Sequence, residues 1–256
     1  MRSKSNFKDL IKSITPFEYS YMSITLVALA VSIVFFPSVM LEDTDNTFLI
    51  VCSIISVISS PICEILISKQ SRYWTIFSLI FVEITDTCIY FSLGLWSTAF
   101  VSCLFWAPMD ILTFIRWTKK RDEEKPVLTK VKRLPLKYSL LTIFGIIAVG
   151  VGFGYLLTLI PGTVGESGYL GYIVAFSNIF EILNGIFILL RYNEQWAAWM
   201  AYLICQTIVY IVLGHYIMLI TIFAMVVNTC YGFIKWLIYI KKKEKIKLVN
   251  SNDNAK

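Results

Sequence analysis

The chain has 256 residues, of which 57% are hydrophobic and 16% are charged, and it carries a formal net charge of +6. Soluble globular domains carry about 25% charged residues, so this composition excludes a water-soluble domain. The charges are grouped in short blocks between apolar runs of about 20 residues, the length that crosses a hydrocarbon core of roughly 30 Å. A membrane β-barrel would show shorter, alternating segments. An all-α, polytopic membrane protein is therefore predicted.

Eight membrane-spanning helices are predicted along the chain. Their approximate limits are 17–38, 47–68, 72–92, 95–116, 137–160, 169–190, 194–213 and 216–240. The first run follows a basic N-terminus, but it is longer than the apolar core of a signal peptide, so it is predicted to be retained. The six cysteines lie within apolar runs and form no CxxC pair, which indicates neither a disulfide framework nor a zinc site.

The connections between these spans alternate in charge. The N-terminus, the 116–137 loop and the tail are basic, whereas the 41–46 loop is acidic. Lysine and arginine favour cytoplasmic loops, so both termini and the 116–137 loop are predicted to be cytoplasmic, with the chain in the plasma or inner membrane. The net positive charge is therefore explained by the membrane topology and by contact of the basic loops with phospholipids. No nucleic-acid partner is predicted.

An internal repeat relates spans two to four with spans six to eight. TFIRW (113–117) recurs as GFIKW (232–236), and DTCIYFSLG (86–94) recurs as QTIVYIVLG (206–214). Two parallel three-helix copies joined by one helix are therefore predicted, with a peripheral N-terminal helix. The predicted divisions are 1–46 for the N-terminal segment and helix, 47–117 for the first copy, 118–168 for the loop and linker helix, 169–240 for the second copy and 241–256 for the tail. In transporters built from such repeats, the substrate lies between the halves.

Span seven carries a stripe of aromatic and polar residues. Trp196, Trp199, Leu203, Gln206 and Tyr210 are spaced i, i+3, i+7, i+10 and i+14, so they share one helix face. Aromatic faces stack on rings and attract cations where water is excluded. The stripe indicates a site for a flat, polar ring, or else an interfacial aromatic belt with one interhelical amide bond. Because Trp196 lies near the cytoplasmic end, either the helix begins deep in the protein or the tryptophans form an inner gate.

Polar residues recur inside the other spans, where an ionised acid costs about 2.5–3.5 kcal/mol and must face protein or water. Glu64 and Asp110 lie close to the cytoplasmic side and are predicted to pair with Lys69 or Arg116. The deeper residues are predicted to line a cavity, although some could instead tie helices together. With Trp196, Trp199 and Gln206, the candidate substrate-binding residues are Glu83, Asp86, Tyr90, Trp106, Asn178, Glu181, Asn184, Asn228 and Tyr231. Gly185 and Gly232 are predicted to loosen spans six and eight.

Several kinds of chemistry are not indicated by the sequence. The chain has no GxxxxGK[ST] loop, so no direct use of ATP is predicted. The single histidine, His215, is predicted to be a surface residue at the outer end of span eight. No cofactor, metal site or catalytic set is predicted, and the chain is not expected to be an enzyme.

These residues and spacings resemble a known family. Two three-helix copies flanking one helix resemble the SWEET-like arrangement, and QWAAW (195–199) with VVNTCYGFIKW (226–236) resembles the Pnu-type bacterial vitamin transporters, best known for nicotinamide riboside. The resemblance covers spans two to eight, and the Trp-x-x-Trp pair is its most specific mark. It implies that Trp196 and Trp199 contact the substrate ring, with Gln206, Asn228 and Tyr231 as polar partners. It also implies a homotrimer, and facilitated diffusion made one-way by cytoplasmic phosphorylation.

The main hypothesis is a facilitative transporter for a ring-containing vitamin precursor, with nicotinamide riboside as the first candidate. The acids Glu83, Asp86 and Glu181 would favour a cation, and nicotinamide riboside and thiamine are both cations. A deoxynucleoside would rely on amide hydrogen bonds instead. The alternatives are therefore thiamine or a deoxynucleoside as the substrate, and proton-coupled transport with these acids as carriers. A membrane enzyme using the buried acids and a non-transporting receptor are the remaining hypotheses.

Overall fold

The computed structural model describes residues 13–35, 47–120, 128–160 and 168–253, with side chains to residue 246. Its helices are α1 (Pro16–Phe35), α2 (Thr47–Ser68), α3 (Trp74–Ser92), α4 (Trp96–Lys119), α5 (Leu136–Thr158), α6 (Tyr169–Leu190), α7 (Gln195–Val212) and α8 (Ile217–Asp253). All eight are long and apolar enough to cross a membrane. The described ranges contain no β-strand, only an isolated bridge between Lys132 and Tyr192. The predicted all-α class with eight spans is confirmed.

The predicted limits agree with these helices to within three residues, except at the C-terminus. There α8 continues through the basic stretch to Asp253, so the predicted tail begins inside the helix. Consecutive lysines are good helix formers, which explains why the helix runs on after the apolar stretch ends. The acidic 41–46 loop, the first 12 residues and most of the 161–168 connection lie outside the described residues.

The two three-helix copies pack in the same order. In the first copy α2 packs against α3, and in the second α6 packs against α7. Each of these first helices also packs against the last helix of the other copy, α2 against α8 and α6 against α4. The copies therefore meet along two equivalent helix pairs. The linker helix α5 packs on α6, and the peripheral helix α1 packs on α2 and α8.

Two π-helical segments interrupt the first copy. They span Ser78–Val82 in α3 and Val101–Trp106 in α4. The second segment ends just before Pro108, which lacks the backbone N–H that would continue the α-helical hydrogen bonds. In the second copy, α6, α7 and α8 are unbroken α-helices over their described lengths. Because π-helical turns are rare and frequently lie at functional sites, they direct attention to the first copy.

Gly185 and Gly232 are points of close contact, not of loosening. A Cβ atom at Gly185 would lie 2.6 Å from the Phe105 ring, and one at Gly232 would lie 2.4 Å from the Trp196 ring. Both helices continue through these glycines without a break. The missing side chains let aromatic rings of neighbouring helices lie directly on the backbone, so the prediction that they loosen the spans was wrong.

A buried ion cluster fastens α1 to the bundle. The fully buried Glu18 accepts hydrogen bonds from Lys69 Nζ at 2.7 Å and from Lys235 Nζ at 3.2 Å. The N–H of Thr15 donates to Glu18 Oε2 at 2.8 Å, and the N–H of Glu18 donates to Thr15 Oγ1 at 3.3 Å. This reciprocal pair is a capping box, which fixes the start of the helix. Burial lowers the pKa of Lys69, and its contact with Glu18 opposes that shift.

Candidate functional site

A small cavity lies between the two copies. It encloses about 70 Å³, and its described lining residues come from α2, α3, α4, α6, α7 and α8. Sites for small molecules usually enclose about 300–1,000 Å³. The cavity in this structure is therefore smaller than a usual site for a ring-containing molecule.

Eight of the twelve predicted substrate-binding residues line this cavity. They are Glu83, Asp86, Tyr90, Trp106, Glu181, Asn184, Trp199 and Gln206. The stripe predicted on α7 faces the cavity from Trp199 onward, through Leu203, Gln206 and Tyr210. The structure thus gathers most of the predicted residues from both copies at one place. Their role as substrate contacts stays a prediction.

Trp196 lies in a cluster of tryptophans next to the cavity. Its ring centroid is 5.5 Å from that of Trp236, Trp236 is 6.2 Å from Trp117, and Trp117 is 6.0 Å from Trp74. Two of these residues come from each copy, and all four are at most 2% exposed. Trp74 lines the cavity, whereas Trp196 is not among the described lining residues. The first tryptophan of the Trp-x-x-Trp pair therefore packs against protein.

Three other predicted residues are also held by neighbouring side chains. Asn228 Nδ2 donates a hydrogen bond to Glu64 Oε2 at 3.3 Å. Glu64 lines the cavity, whereas Asn228 is not among the described lining residues. Asn178 accepts a hydrogen bond from Thr98 at 2.7 Å and ties α6 to α4. Tyr231 packs on Phe17 of α1 with ring centroids 4.4 Å apart. These residues join helices, which is the alternative that the sequence left open for them.

The first-copy wall of the cavity is acidic and rich in serine. Glu83 accepts hydrogen bonds from Ser78 at 3.0 Å and from Ser102 at 2.9 Å. Ser78 begins the π-helical segment of α3, and Ser102 lies in that of α4. One turn along α3 from Glu83, Asp86 accepts a hydrogen bond from Ser56 at 2.6 Å. The Glu83 carboxyl group thus connects both π-helical segments.

The second-copy wall carries amides and one acid. Glu181 Oε1 accepts a hydrogen bond from Trp106 Nε1 at 2.8 Å, while Oε2 has no hydrogen-bond partner among the described residues. Gln206 Nε2 donates to Ser177 Oγ at 3.0 Å, and Gln206 Oε1 likewise has no partner in the described ranges. This wall therefore has two buried acceptor atoms that no described residue satisfies.

An aromatic stack also faces the cavity from α7. The rings of Trp199 and Tyr202 lie 4.6 Å apart and are nearly parallel, at 13°. The hydroxyl groups of Tyr202 and Tyr90 lie 2.9 Å apart and share a hydrogen bond across the two copies. Tyr202 was missed by the sequence analysis. The signal was its position three residues after Trp199, which places both rings on adjacent turns.

The cavity lining is strongly biased in charge. It contains four carboxyl groups, those of Glu64, Glu83, Asp86 and Glu181, and none of the described lining residues is Lys, Arg or His. No group of three or more His, Cys, Asp or Glu residues able to hold a metal ion occurs in the described ranges. Such a lining suits a cation or a neutral hydrogen-bonding molecule better than an anion.

Comparison with known proteins agrees with this architecture. A family model described as "nicotinamide mononucleotide transporter" matches residues 50–238, which is more than half of the chain. The chain belongs to this family. A crystal structure described as the vitamin B3 transporter PnuC matches it with a TM-score of 0.71 and 19% identity, over 90% of this chain and 94% of that chain. At that identity the structural likeness supports the fold. A comparison with curated protein sequences finds no match.

Membership in the family confirms the resemblance inferred from the Trp-x-x-Trp pair and the repeat. The protein is a multi-pass membrane transporter and not an enzyme.

Two ion pairs predicted for this transporter were wrong. Glu64 lines the cavity, and Lys69 pairs with Glu18 instead. Asp110 is 1% exposed, Arg116 is exposed, and no ion pair joins these two described residues. Helical side chains meet at spacings of three or four residues, whereas these pairs are five and six residues apart. The predicted partners therefore point in different directions.

His215 is buried, not on the surface as predicted. It is 6% exposed, and its Nε2 atom lies 3.2 Å from Ser53 Oγ of α2. Its ring also packs against Tyr210, with centroids 6.0 Å apart. Burial lowers the pKa of His215 to about 4, so the ring is neutral near pH 7. The turn between α7 and α8 is therefore packed against the first copy.

Proposed function

We propose that this transporter carries nicotinamide riboside by facilitated diffusion through the central cavity. The observation that carries this proposal is the division of the cavity into two unlike walls. Acids predominate on the first-copy wall. The second-copy wall presents the Trp199–Tyr202 stack and the amide oxygen of Gln206, which has no hydrogen-bond partner among the described residues. Nicotinamide riboside combines a flat cationic ring with a carboxamide and a ribose, which are hydrogen-bond donors. Each part of this molecule has a matching chemical group in the cavity.

The charge of the cavity favours the nucleoside over the mononucleotide. Proteins bind phosphate groups through Arg, Lys or clustered backbone N–H groups. The described lining contains none of the basic side chains and has four carboxyl groups, which would repel a phosphate. The family description names the mononucleotide, but this chain's cavity supports its dephosphorylated form as the cargo.

Trp199 is the proposed ring contact, because it lines the cavity while Trp196 packs against Trp236. In this structure Tyr202 covers one face of Trp199, with ring centroids 4.6 Å apart. The substrate ring would take a stacking position there when the walls separate. Gln206 and Asn184 would bind the carboxamide or ribose, and Glu83 with Asp86 would compensate the positive charge.

The direction of net uptake is proposed to come from phosphorylation of the nucleoside in the cytoplasm. Both termini and the basic connections are proposed to lie on that side of the inner membrane. In support, the segment after residue 128 packs beside the α2–α3 and α6–α7 turns, where Thr129 N–H donates to Gln70 O and Lys132 N–H donates to Arg191 O. This places the basic residues of three connections together, as the positive-inside rule expects. A homotrimer is proposed from the family resemblance.

Thiamine is the second candidate cargo, because it is also a cation with aromatic rings and would use the same acidic wall. A deoxynucleoside could donate hydrogen bonds to the four carboxyl groups, but as a neutral molecule it would form no charge pair with them. The two cations are therefore the substrates that the cavity supports best, and they are distinguished by direct competition.

The test is uptake into proteoliposomes of labelled nicotinamide riboside, nicotinamide mononucleotide, thiamine and a deoxynucleoside. Nicotinamide riboside is expected to equilibrate without ATP, and to accumulate only when a riboside kinase and ATP are enclosed. Trp199→Ala is expected to abolish most of the uptake. Trp96→Ala is the matched control, because Trp96 is 46% exposed on the outer surface of α4. Mononucleotide uptake equal to riboside uptake, or uptake unaffected by Trp199→Ala, would overturn the proposal.

A further inference from the structure

The four carboxyl groups of the cavity have no basic partner among the residues that the structure describes. Glu64, Glu83 and Glu181 are at most 8% exposed, and Asp86 is partly buried. Two described lysines, Lys69 and Lys235, form ion pairs with Glu18 in the first turn of α1 and not with the acids of the cavity. The negative charge that these four groups would carry when ionised is therefore not balanced by any ion pair among the described residues.

The hydrogen bonds to these carboxyl groups come from neutral donors. Serine hydroxyls donate to Glu83 and Asp86, an asparagine amide donates to Glu64, and the Trp106 indole donates to Glu181. Neutral donors stabilise a carboxylate but supply no positive charge. Several ionised carboxylates around one small cavity repel each other and lose their hydration. An empty cavity is therefore most stable when some of these groups hold protons.

A second observation shows that the cavity is arranged for a ligand. Glu181 Oε2 and Gln206 Oε1 have no hydrogen-bond partner in the described ranges, and their residues are 4% and 2% exposed. Both residues line the cavity. Unpartnered buried acceptors are unfavourable, so the cavity favours an occupant that brings donors or positive charge. The acids on α3 and the free acceptors on α6 and α7 lie around the same space.

We propose that the carboxyl groups of this cavity exchange protons for the cationic cargo, so that binding of the cation releases protons to water. When the pH is equal on both sides of the membrane, this exchange adds no driving force and uptake is still facilitated diffusion. This inference rests on the proposed function, because it requires a cationic substrate. In the exchange the O–H bond of a carboxylic acid breaks, the proton passes to water, and the carboxylate that remains pairs with the cation. No group is oxidised or reduced. When one proton is released, the charge of the loaded site equals that of the empty site.

Glu83 and Asp86 are the first candidates for this exchange, because they stand one turn apart on α3 and face the cavity together. The other titratable groups around them are Cys52, Cys63 and Glu64 on α2, Tyr90 on α3, Asp110 on α4, Glu181 on α6, and Tyr202 and Tyr210 on α7. The described lining residues of α8 are Met218, Thr221, Ile222 and Met225, which do not titrate. Cysteine and tyrosine ordinarily release protons only above pH 8, so the acids are the groups that can exchange near neutral pH.

Exchange makes the proton and the cation competitors for one site. By linkage, a cation that releases one proton binds up to about tenfold more tightly for each unit of increase in pH. The reduced, dihydropyridine form of nicotinamide riboside has almost the same shape but no charge. It is expected to release no protons, and its affinity is expected to be independent of pH over the same range.

The experiment is titration calorimetry of the purified full chain with both forms of the riboside. Each titration is run at one pH in two buffers that differ in ionisation enthalpy, so that the difference in heat counts released protons. The cation is expected to show a buffer-dependent heat, and the neutral form is not. Glu83→Gln combined with Asp86→Asn is expected to lose most of the proton release. Glu194→Gln is the control, because Glu194 accepts a hydrogen bond from Leu134 N–H at 2.9 Å away from the cavity.

Each outcome separates the two proposals. Cation binding with equal heats in both buffers would overturn proton exchange and leave the proposed cargo intact. Failure of both forms to bind would overturn the proposed function, and the exchange with it. Undiminished proton release in the double variant would overturn the assignment to Glu83 and Asp86. Binding of the neutral form by the same variant shows that it is folded.

Discussion

The two copies of the three-helix repeat share one packing order but build unlike walls. At the same repeat position the first copy has Asp86 and the second has Gln206, and both residues line the cavity. One helical turn later the two copies have the same residue, Tyr90 in the first and Tyr210 in the second, and both line the cavity. The first copy also contains two π-helical segments, whereas the second is regular. The repeat thus provides a symmetric frame, and substitutions at a few lining positions make an asymmetric site for an asymmetric molecule.

The largest effect on ligand binding is expected at the aromatic part of the second-copy wall. Trp199→Ala removes the ring that stacks on Tyr202 at 4.6 Å. We expect the affinity for ring-containing ligands to fall about 10–100-fold, because a buried aromatic side chain contributes about 1.5–3 kcal/mol. The loss should be similar for nicotinamide riboside and for its neutral reduced form. Calorimetry with both ligands measures it, and a loss confined to the cation would show that the wall recognises charge instead.

The next largest effect is expected where the copies differ. Asp86→Gln gives the first copy the residue type that the second copy has at this position. We expect affinity for the cation to fall about tenfold, because a hydrogen bond to a charged group is worth about 1.5–3 kcal/mol and three other carboxyl groups remain around the cavity. Affinity for the neutral reduced form should change less than twofold. Equal losses of affinity for both ligands would mean that Asp86 determines the shape of the cavity and not its preference for a charged ligand.

A smaller effect is expected at the link between the π-helical segments. Ser102 donates to Glu83 at 2.9 Å and accepts from Thr87 at 3.0 Å. Ser102→Ala removes one donor to the carboxyl group, and a hydrogen bond of this kind is worth about 1 kcal/mol. We expect a roughly threefold to tenfold change in cation affinity. Ser92→Ala is the control, since Ser92 donates to its own helix at Cys88 O, and identical behaviour of the two variants would remove any special role for Ser102.

The spans and the fold class were accessible from the sequence because they depend on local properties. Apolar length predicts a helix that crosses the bilayer, and the repeated TFIRW and GFIKW segments predict two copies. The face of α7 from Trp199 to Tyr210 was also predicted, because a helix of regular pitch fixes which residues share a side. These features do not require knowledge of which helices touch.

The errors concern contacts between helices. Trp196 belongs to the α7 stripe by spacing, but Gly232 on α8 leaves room for its ring to pack away from the cavity. Lys69 was assigned to Glu64, whereas α1 docks so that Glu18 reaches it. The π-helical segments have no signal in the sequence apart from Pro108. Each depends on a partner distant in the chain, which periodicity and charge counting do not identify.

The last expected effect is on stability and not on ligand binding, and it concerns the turns before the last helix of each copy. Leu95 occupies the position that His215 has in the second copy, and both are buried. Because burial lowers the pKa of His215 from 6.5 to about 4, the unfolded chain binds a proton between these values and the folded protein does not. The unfolded chain therefore gains stability relative to the folded protein as the pH falls below 6.5. The contribution of the neutral, buried His215 ring to the free energy of unfolding is complete above pH 6.5 and is lost as the pH falls toward 4.

His215→Leu makes the two turns alike and removes this titration. The stability of the unchanged protein relative to His215→Leu should fall between pH 7.5 and pH 5.5, by at most about 1.4 kcal/mol, since each unit of pKa shift corresponds to that free energy. Ser53→Ala is the matched control, because it removes the hydroxyl 3.2 Å from His215 Nε2 but keeps the buried ring and hence its pH dependence. The measurement is the thermal midpoint in detergent at both pH values. If the thermal midpoints of His215→Leu and the unchanged protein change equally with pH, the ring must be protonated in the folded state. The second-copy turn would then be open to water, unlike the first-copy turn at Leu95.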